Sequence, residues 1–379
     1  GDGKALDAFQ DGAQVADWAR ASVSGLVEAG CVSGSGGLLS PTAEITRAEF
    51  AQMMDNMVKR YISAPGEVTD LGDGSVLVNT AGVTLKDTAV KGDLILGDGV
   101  GDGEVTLDGV TVEGRLLARG GGAHSIILTG STKVGEVVLA RRDGQLRLRV
   151  EKGAAVDAVL IPDGSDAVTV VGELGSLTLE APGVTVNAVG ADIGKAEITG
   201  EKAVLVVEKD SKVQTASVAE SAEGAQVVVA GQVKSVTVEA PAAAAVAKEG
   251  GRVDQVTLTE KAEGATVQAD KGAAIQSVTS KADGAAIQGE GKIASAKVEG
   301  DNNSVNTVGT KVTVDKNAEG TKANDQTLKG GSTSTTTESG AKPSTGTGGG
   351  SYVPPSWDGT SVNEVTPVEG VYTVSSAEE

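Results

Sequence analysis

Apolar and polar residues alternate along the chain from Val83 to about Gly320, in short runs that stop at glycine. In residues 104–118, EVTLDGVTVEGRLLA, Val or Leu alternates with Thr, Asp or Glu. A period of two predicts strands with one buried face. Glycine at the end of a run lets the chain turn without steric cost. The pattern therefore predicts short strands joined by tight corners.

This pattern occurs about twelve times. The units begin at Val83, Glu104, His124, Gln145, Ala167, Val184, Ala203, Ala225, Ala242, Ala265, Ala285 and Asn303. A repeat of roughly 20 residues is typical of a solenoid. Residues 221–224, 261–264, 281–284 and 317–320 share nearly one phrase and are predicted to be equivalent corners.

A leucine-rich repeat would show a Leu-rich consensus and a helical segment, and we find neither, so strands are expected on every side of the coil. We predict a mainly β protein built on a parallel β-helix of about twelve rungs. At about 4.8 Å per rung, this solenoid would be a rod on the order of 58 Å long.

Before the solenoid the apolar period becomes helical. In residues 15–30, VADWARASVSGLVEAG, Val15 and Trp18 begin one apolar face, and Gly30 ends the predicted helix. A second helix is predicted from Thr46, because Thr46 and Glu49 match the capping box. Its apolar stripe comprises Phe50, Met53, Met54, Met57, Val58 and Tyr61. Two such helices are expected to pack together with little core of their own.

Several residues of this helical module resemble the S-layer homology (SLH) motif of bacterial cell-surface proteins over about 50 residues. The matching features are Phe9-x-Asp11, Trp18-Ala19, the helix end at Gly30, Leu39-Ser40-Pro41 and Ile45-Thr46-Arg47-Ala48-Glu49-Phe50, which contains the family's TRAE signature. The resemblance implies binding of secondary cell-wall polysaccharide, often pyruvylated, and an extracellular, S-layer-associated protein of Gram-positive bacteria. It implies Asp11, Trp18, Thr46 and Arg47 as polymer-binding residues. SLH motifs generally form a unit of three, and one is visible here.

The residues themselves leave alternatives open. Thr46 is expected to cap its helix whether or not it binds polymer. A cation in the first helical turn, such as Arg47, lies at the unfavourable end of the helix dipole. An anionic ligand held by the guanidinium and the helix N-terminus would explain Arg47, and an ordinary solvated arginine is the alternative. Trp18 is either a core residue or close to the sugar.

Composition narrows the classes of partner. The net charge of −20 excludes nucleic acid as an expected ligand. No apolar run approaches the ~18 residues of a membrane-spanning helix, so no membrane span is predicted. Cys31 is the single cysteine and excludes an internal disulfide. Residues 62–351 contain no aromatic residue, so the solenoid core is predicted to be Val, Leu, Ile and Ala.

The solenoid offers few candidates for chemistry, and we predict no cofactor, metal or catalytic residue. The single histidine, His124, has no second His or Cys with which to form a metal site. Residues 97–103, GDGVGDG, are similar to the calcium-binding repeats of β-rolls but occur once, so a glycine-rich corner is favoured. The arginines at 141, 142, 147 and 149 form a basic cluster that resembles the Arg base of β-helix pectate lyases, and outward side chains balancing acidic neighbours are the favoured reading.

These observations divide the chain into five segments. We predict an SLH motif at 1–62, a connector or N-terminal cap at 63–82, the β-helix at 83–325, a Ser/Thr/Gly/Pro-rich linker at 326–360 and the beginning of a further segment at 361–379. The predicted function is a non-enzymatic structural or adhesive cell-surface protein attached through its SLH motif. Its β-helix would serve as a stalk or bind a host or cell-surface glycan or protein. The alternative is a polysaccharide-active β-helix enzyme, either a lyase or similar to a glycoside hydrolase.

Overall fold

The computed structural model describes residues 2–164, 167–324 and 326–337, which belong to one compact unit. The predicted linker beyond residue 337 and the predicted segment 361–379 lie outside these residues. Two α-helices come first, α1 (Asp17–Glu28) and α2 (Arg47–Met57). Short 3-10 helices span Lys4–Ala8, Gly12–Gln14 and Asp98–Val100.

Strands fill the rest of the described chain. The first ten are β1 (Val58–Ile62), β2 (Gly66–Val68), β3 (Ser75–Val78), β4 (Val83–Lys86), β5 (Ala89–Val90), β6 (Leu94–Leu96), β7 (Val105–Asp108), β8 (Thr111–Ala118), β9 (Ile127–Thr129) and β10 (Lys133–Leu139). The next ten are β11 (Gln145–Val150), β12 (Ala155–Ile161), β13 (Ala167–Leu179), β14 (Thr185–Ile198), β15 (Val204–Val207), β16 (Lys212–Val218), β17 (Gln226–Val229), β18 (Gln232–Val238), β19 (Ala244–Ala247) and β20 (Arg252–Leu258). The last nine are β21 (Thr266–Ala269), β22 (Ala274–Ser280), β23 (Ala286–Gln288), β24 (Lys292–Val298), β25 (Ser304–Asn306), β26 (Lys311–Val314), β27 (Lys322–Ala323), β28 (Gln326–Thr327) and β29 (Thr333–Thr335).

Strands β1 to β27 stack in parallel on three faces of a β-solenoid of about 13 turns, which confirms the predicted fold class. The first face runs through β1, β3 and β6, then the C-terminal halves of the longer strands β8 to β24, and ends at β26. The second face begins with β2, β4, β7, β9 and β11 and continues through the N-terminal halves of β13 and β14. It ends with β15, β17, β19, β21, β23, β25 and β27. The third face contains β5 and the other halves of the long strands.

Alternation along each strand builds one continuous core. In β15, Leu205 and Val207 are fully buried and belong to the core cluster, whereas Val204 and Val206 point outward and are half-buried. The solenoid core contains aliphatic side chains and no aromatic ring, as predicted. Each fully buried Val or Leu contributes about 1.5–3 kcal/mol relative to exposure, so the regular burial of such residues stabilises every turn.

The predicted equivalent corners do occupy equivalent places. Gly224, Gly264 and Gly284 have φ values of 68°, 66° and 66°, in the left-handed region. The amide of Gly224 donates to Pro241 in the next turn, and that of Gly264 donates to Asp283. Glycine adopts this conformation at little cost, which explains its recurrence in the corner phrase.

The solenoid extends further upstream than the sequence indicated. β1 pairs with β3 and β2 pairs with β4, and Ile62 and Leu71 belong to the core, so the segment predicted as a connector at 63–82 forms part of the stack. α2 ends at Met57, so Val58 and Tyr61, which were placed on its helical stripe, lie in β1. Pairing with β3 decides this boundary, because strand-forming residues follow tertiary context more than local period.

The end of the described chain also differs from the prediction. β28 and β29 fall within the predicted linker, and they pair antiparallel with β27 and β26, whereas the other strand pairs in the described residues are parallel. Leu328 packs against the core and Thr336 is buried. Residues 326–337 therefore fold back over the last turn and cover its edge.

Candidate functional site

Asp11 holds the helical module together at a turn. Its two carboxylate oxygens accept hydrogen bonds from the backbone amides of Leu39 at 2.8 Å and Ser40 at 2.7 Å. The amide of Leu39, followed by that of Ser40, lowers the pKa of the Asp11 carboxyl below its usual value. Ser40 has a φ of 54°, so this contact fixes an unusual backbone conformation. The side chain implied as a polymer ligand thus has a structural role in the described chain.

The residue after Asp11 shows how closely this turn is packed. Gly12 is buried, and a Cβ added there would lie 2.0 Å from the carbonyl oxygen of Leu6. The guanidinium of Arg20, on α1, donates to the carbonyl oxygen of Gly12 at 3.2 Å. The 3-10 segment, α1 and the 39–40 turn therefore converge on residues 11 and 12.

Trp18 lies on the solvent side of α1. Its side chain is 89% exposed, so the reading of Trp18 as a core residue is wrong. Ser24 is the buried residue of this helix, and its hydroxyl donates to Glu28 at 2.9 Å. The small polar Ser24 occupies the packed side of the helix, which leaves the indole available to a ligand.

The capping box at the start of α2 is confirmed. The Glu49 amide donates to the Thr46 hydroxyl at 3.2 Å, and the Glu49 carboxylate accepts from the Thr46 amide at 2.8 Å and from its hydroxyl at 2.7 Å. The bonds from the Thr46 amide and hydroxyl lower the pKa of Glu49. The side chain of Thr46 therefore caps the N-terminus of α2.

Arg47 is the first residue of α2 and is exposed. No ion pair or hydrogen bond joins its guanidinium to any residue that the structure describes. A cation at this end of a helix is unfavourable unless an anion is present, and the helix N-terminus and guanidinium together could hold one.

The four predicted site residues are only partly brought together. Thr46 and Arg47 are adjacent at the start of α2, and Asp11 fixes the turn that leads toward them. Within the described residues, no hydrogen bond or ion pair connects Trp18 to the other three. The link from Asp11 to residue 39 spans 28 positions, and no local pattern in the sequence signals it.

An exposed apolar surface on the module was missed by the sequence reasoning. α2 has no buried residue, and Phe50 and Met54 are 51% and 38% exposed. The helix is linked to the segment after α1 by Asn56, whose amide donates to the carbonyl oxygen of Cys31 at 3.5 Å. The predicted packing of this stripe against α1 is not reproduced, since a helix packed through it would bury these side chains. No local pattern in the sequence signals this exposure, because a helical apolar stripe does not show what covers it.

Arg141 joins successive turns of the solenoid rather than facing a substrate. Its side chain is 13% exposed and donates to the carbonyl oxygens of Gly121 and Gln145, the latter at 3.2 Å. It also pairs with Asp102 at 2.7 Å. Arg141 therefore satisfies backbone acceptors at corners where glycine-rich loops leave the regular ladder.

The other members of the basic cluster have different surroundings. Arg149 pairs with Glu151 at 3.0 Å, and Arg119, which is outside the cluster, pairs with Asp98 at 3.4 Å. The Nε of Arg147 is buried and has no hydrogen-bond partner among the described residues. A cleft of about 180 Å³ at this corner is lined by arginines and aspartates together. Arg149 with Glu151 fits the prediction of outward side chains balancing acidic neighbours, whereas Arg141 is mostly buried and does not.

Residues 97–103 form a corner that contains a 3-10 helix, and Asp98 and Asp102 both face arginines. His124 is exposed in the next corner. No cluster of three or more His, Cys, Asp or Glu suited to a metal ion occurs in residues 2–164, 167–324 and 326–337. A larger groove of about 350 Å³ lies beside β13 and β14, lined by carboxylates and lysines such as Glu173, Asp192 and Lys212.

None of the helices in the described chain is long and apolar enough to cross a membrane. The family model of the S-layer homology domain matches residues 8–51, the segment that contains Asp11, Trp18, Thr46 and Arg47. No curated protein and no solved structure is significantly similar to the chain. The match identifies residues 8–51 as an S-layer homology domain, which indicates a cell-surface protein associated with the cell wall, and a β-solenoid follows this domain in the chain.

Proposed function

We propose that this chain anchors a rigid β-solenoid to the cell wall, outside the cell, by binding secondary cell-wall polysaccharide through its helical module. The observation that carries the proposal is the SLH match at residues 8–51, which includes Arg47 at the start of a capped helix. Arg47 has no partner among the described residues, so its charge is available to an acidic group of the polymer. Trp18, at 89% exposure, offers an apolar face for a sugar ring.

A stalk requires three properties, and the solenoid has each of them. It has a continuous aliphatic core, turns joined by backbone hydrogen bonds, and an acidic surface that keeps it soluble. A polysaccharide-cleaving site needs platforms for sugar rings and paired carboxylates or a metal. Residues 62–351 have no aromatic side chain, and Arg141 is occupied by carbonyl oxygens. We therefore favour a structural solenoid over an enzyme, and adhesion to a host or cell-surface glycan or protein stays a prediction.

The wall-binding proposal is tested by sedimentation with purified cell wall that carries a pyruvylated secondary polymer. Arg47→Ala should reduce the bound fraction without changing the circular dichroism spectrum. Arg252→Ala removes the same charge from the exposed surface of β20 and serves as the matched control. Equal binding by the wild-type chain and Arg47→Ala would contradict the proposed role of Arg47 and show it to be an ordinary solvated arginine.

A second measurement separates the scaffold from the enzyme. Acidic polysaccharides incubated with the chain, with and without calcium, should release neither reducing ends nor unsaturated products. Turnover that disappears in Arg147→Ala or Arg149→Ala would overturn the structural assignment and support the enzyme.

A further inference from the structure

The core of the solenoid changes its composition along the axis. Among the described residues, 83–181 bury twelve leucines and two alanines, whereas 184–298 bury two leucines and nineteen alanines. We call residues 83–181 the large-core half and residues 184–298 the small-core half. The boundary lies between β13 and β14, and both halves consist of the same parallel ladders. The two halves therefore differ in the side chains that fill the interior.

One inward column of the first face shows the change turn by turn. From β3 to β13 its buried members include three leucines, and from β14 to β24 they include three alanines and no leucine. Its members, in order, are Val76, Leu94, Leu116, Val137, Val159, Leu177, Ala196, Ala216, Val236, Val256, Val278 and Ala296. Because consecutive members are direct neighbours in the ladders, all of them occupy the same place in the cross-section.

The corners and the last turns continue this trend. In the small-core half, β15, β17, β19, β21 and β23 each follow directly on a buried alanine, namely Ala203, Ala225, Ala243, Ala265 and Ala285. Further along, Ser280, Asn303 and Thr310 are buried polar residues. The Asn303 amide donates to the carbonyl oxygens of Ala282 at 2.9 Å and Gly300 at 2.8 Å. Such polar groups are satisfied, but they take the place of aliphatic side chains in the interior.

Core composition decides how strongly each turn resists opening. A leucine side chain has three more carbon atoms than that of alanine, and hydrophobic stabilisation grows with the apolar area removed from water. The lower side-chain entropy that alanine loses on folding offsets only part of this difference. A buried polar group adds less stability, because opening exchanges its hydrogen bonds for bonds to water. The backbone ladders are common to both halves, so turns of the small-core half open more easily.

An order of opening is thus built into the fold. Each turn of a solenoid contacts its neighbouring turns, so a stable half does not hold distant turns of a weaker half closed. We propose that the small-core half opens from its C-terminal end as a release segment, which proteases remove while the large-core half stays folded. The helical module precedes the large-core half in the chain, so the remaining fragment would stay on the wall. This last step rests on the proposed function, and the order of opening does not.

Exposed cleavage sites occur in both halves. Lys133 and Arg149 are exposed in the large-core half, and Lys195, Lys234 and Arg252 are exposed in the small-core half. Strands have to open before a protease can cleave them, and cleavage then follows the population of the open form. A difference in trypsin cleavage between the halves would therefore report opening, since lysine or arginine is accessible in each.

The experiment is hydrogen exchange by mass spectrometry on the full chain, in a series of urea concentrations. Once urea begins to open the solenoid, strand amides in residues 203–298 should exchange at least about tenfold faster than those in residues 83–161. Trypsin added under the same conditions should remove the small-core half first and leave a fragment that ends close to the boundary between the halves. Both halves opening together, or the large-core half opening first, would overturn the proposal.

Leu116→Ala tests whether core size causes the order. It gives the inward column the residue that this column has at Ala196 and Ala216, so residues 94–139 should open at a lower urea concentration, close to that of the small-core half. The matched control is Leu117→Ala, which makes the same change at the outward, half-buried neighbour in β8 and should preserve the order. Leu116→Val, a milder change, should shift the opening in the same direction by less. Equal effects at 116 and 117, or no shift at 116, would contradict the proposal.

Val236→Ala makes the corresponding test in the small-core half. Val236 occupies the same inward column in β18, and its truncation should accelerate exchange in residues 212–258 and leave residues 83–139 unchanged. Acceleration that extends into the large-core half would show that the solenoid opens as one unit, and would overturn the proposal. These measurements do not involve the wall polymer, so loss of wall binding would leave the opening order untouched, and the reverse holds as well.

Discussion

Replacing Arg141 with alanine should destabilise the solenoid locally, at the corners that this side chain connects. The change removes the guanidinium that donates to carbonyl oxygens of Gly121 and Gln145 and pairs with Asp102. A hydrogen bond from a charged donor contributes about 1.5–3 kcal/mol to stability. Removing the donor also leaves the carbonyl acceptor without a partner. Water can reach part of this corner, so we expect a total loss of about 2–4 kcal/mol.

The contribution of the ion pair can be separated from that of the carbonyl bonds. Asp102 is 87% exposed, and an exposed ion pair contributes about 0.2–1 kcal/mol. Asp102→Asn should therefore cost far less than Arg141→Ala. Arg141→Lys should recover only part of the loss, because one ammonium cannot reach acceptors in several directions as the guanidinium fork does.

Hydrogen exchange measured by mass spectrometry is the appropriate assay, combined with urea unfolding. In a solenoid each turn contacts its neighbours, so a lost contact raises local opening first. Exchange should increase at residues 120–126 and 140–150 in Arg141→Ala and remain unchanged near residues 250–300. A loss below about 0.5 kcal/mol, within the usual range of a surface substitution, would refute the reasoning. Uniform acceleration along the whole chain would refute it as well.

Three further predictions follow from the corners, the module and the last turn. Gly264→Ala should lower the free energy of unfolding, measured by urea titration, by about 1 kcal/mol. The cause is the φ of 66° alone, since no atom outside the adjoining residues lies within 4 Å of the added Cβ. Gly135 is equally open but has no positive φ, so Gly135→Ala should be neutral or slightly stabilising in the same titration. Asp11 has a lowered pKa in the folded chain, so its contribution is present above the ordinary carboxyl pKa of about 4 and is lost as the pH falls through the folded value. Asp11→Asn should therefore reduce the acid sensitivity of the module, measured by hydrogen exchange at residues 8–51, and leave the part that Glu49 contributes. A chain ending at Asn324 loses β28 and β29, and light scattering should then detect aggregation through the uncovered edges of β26 and β27, unlike a chain ending at Thr337.

The period of two allowed the solenoid to be predicted, because alternation is a local property of each strand. The positions at which the solenoid begins and ends could not be predicted from this alternation. Val58 and Tyr61 fit a helical stripe as well as a strand. Only their pairing with β3, which comes later in the chain, selects the strand. Residues 326–337 read as linker by composition, yet antiparallel pairing with β26 and β27 orders them. Both differences arise from contacts between distant segments.

The site shows the same division between local and distant causes. The capping box of Thr46 and Glu49 was predicted because it involves four consecutive positions. The exposure of Trp18 was not, since helical spacing identifies an apolar face but not what covers it. The structural role of Asp11 depends on a turn 28 residues downstream. Polymer binding by these residues stays a prediction.

Hydrogen bonds between turns run along the solenoid axis, from residues such as Gly224 to their acceptors in the next turn. A force that pulls the two ends of the solenoid apart therefore acts directly on these bonds, and the terminal turns open before the interior ones. Each released turn of roughly 20 residues provides about 65–70 Å of extended chain in place of one strand spacing. Under load, the solenoid would lengthen in steps and dissipate energy while its remaining turns keep their fold.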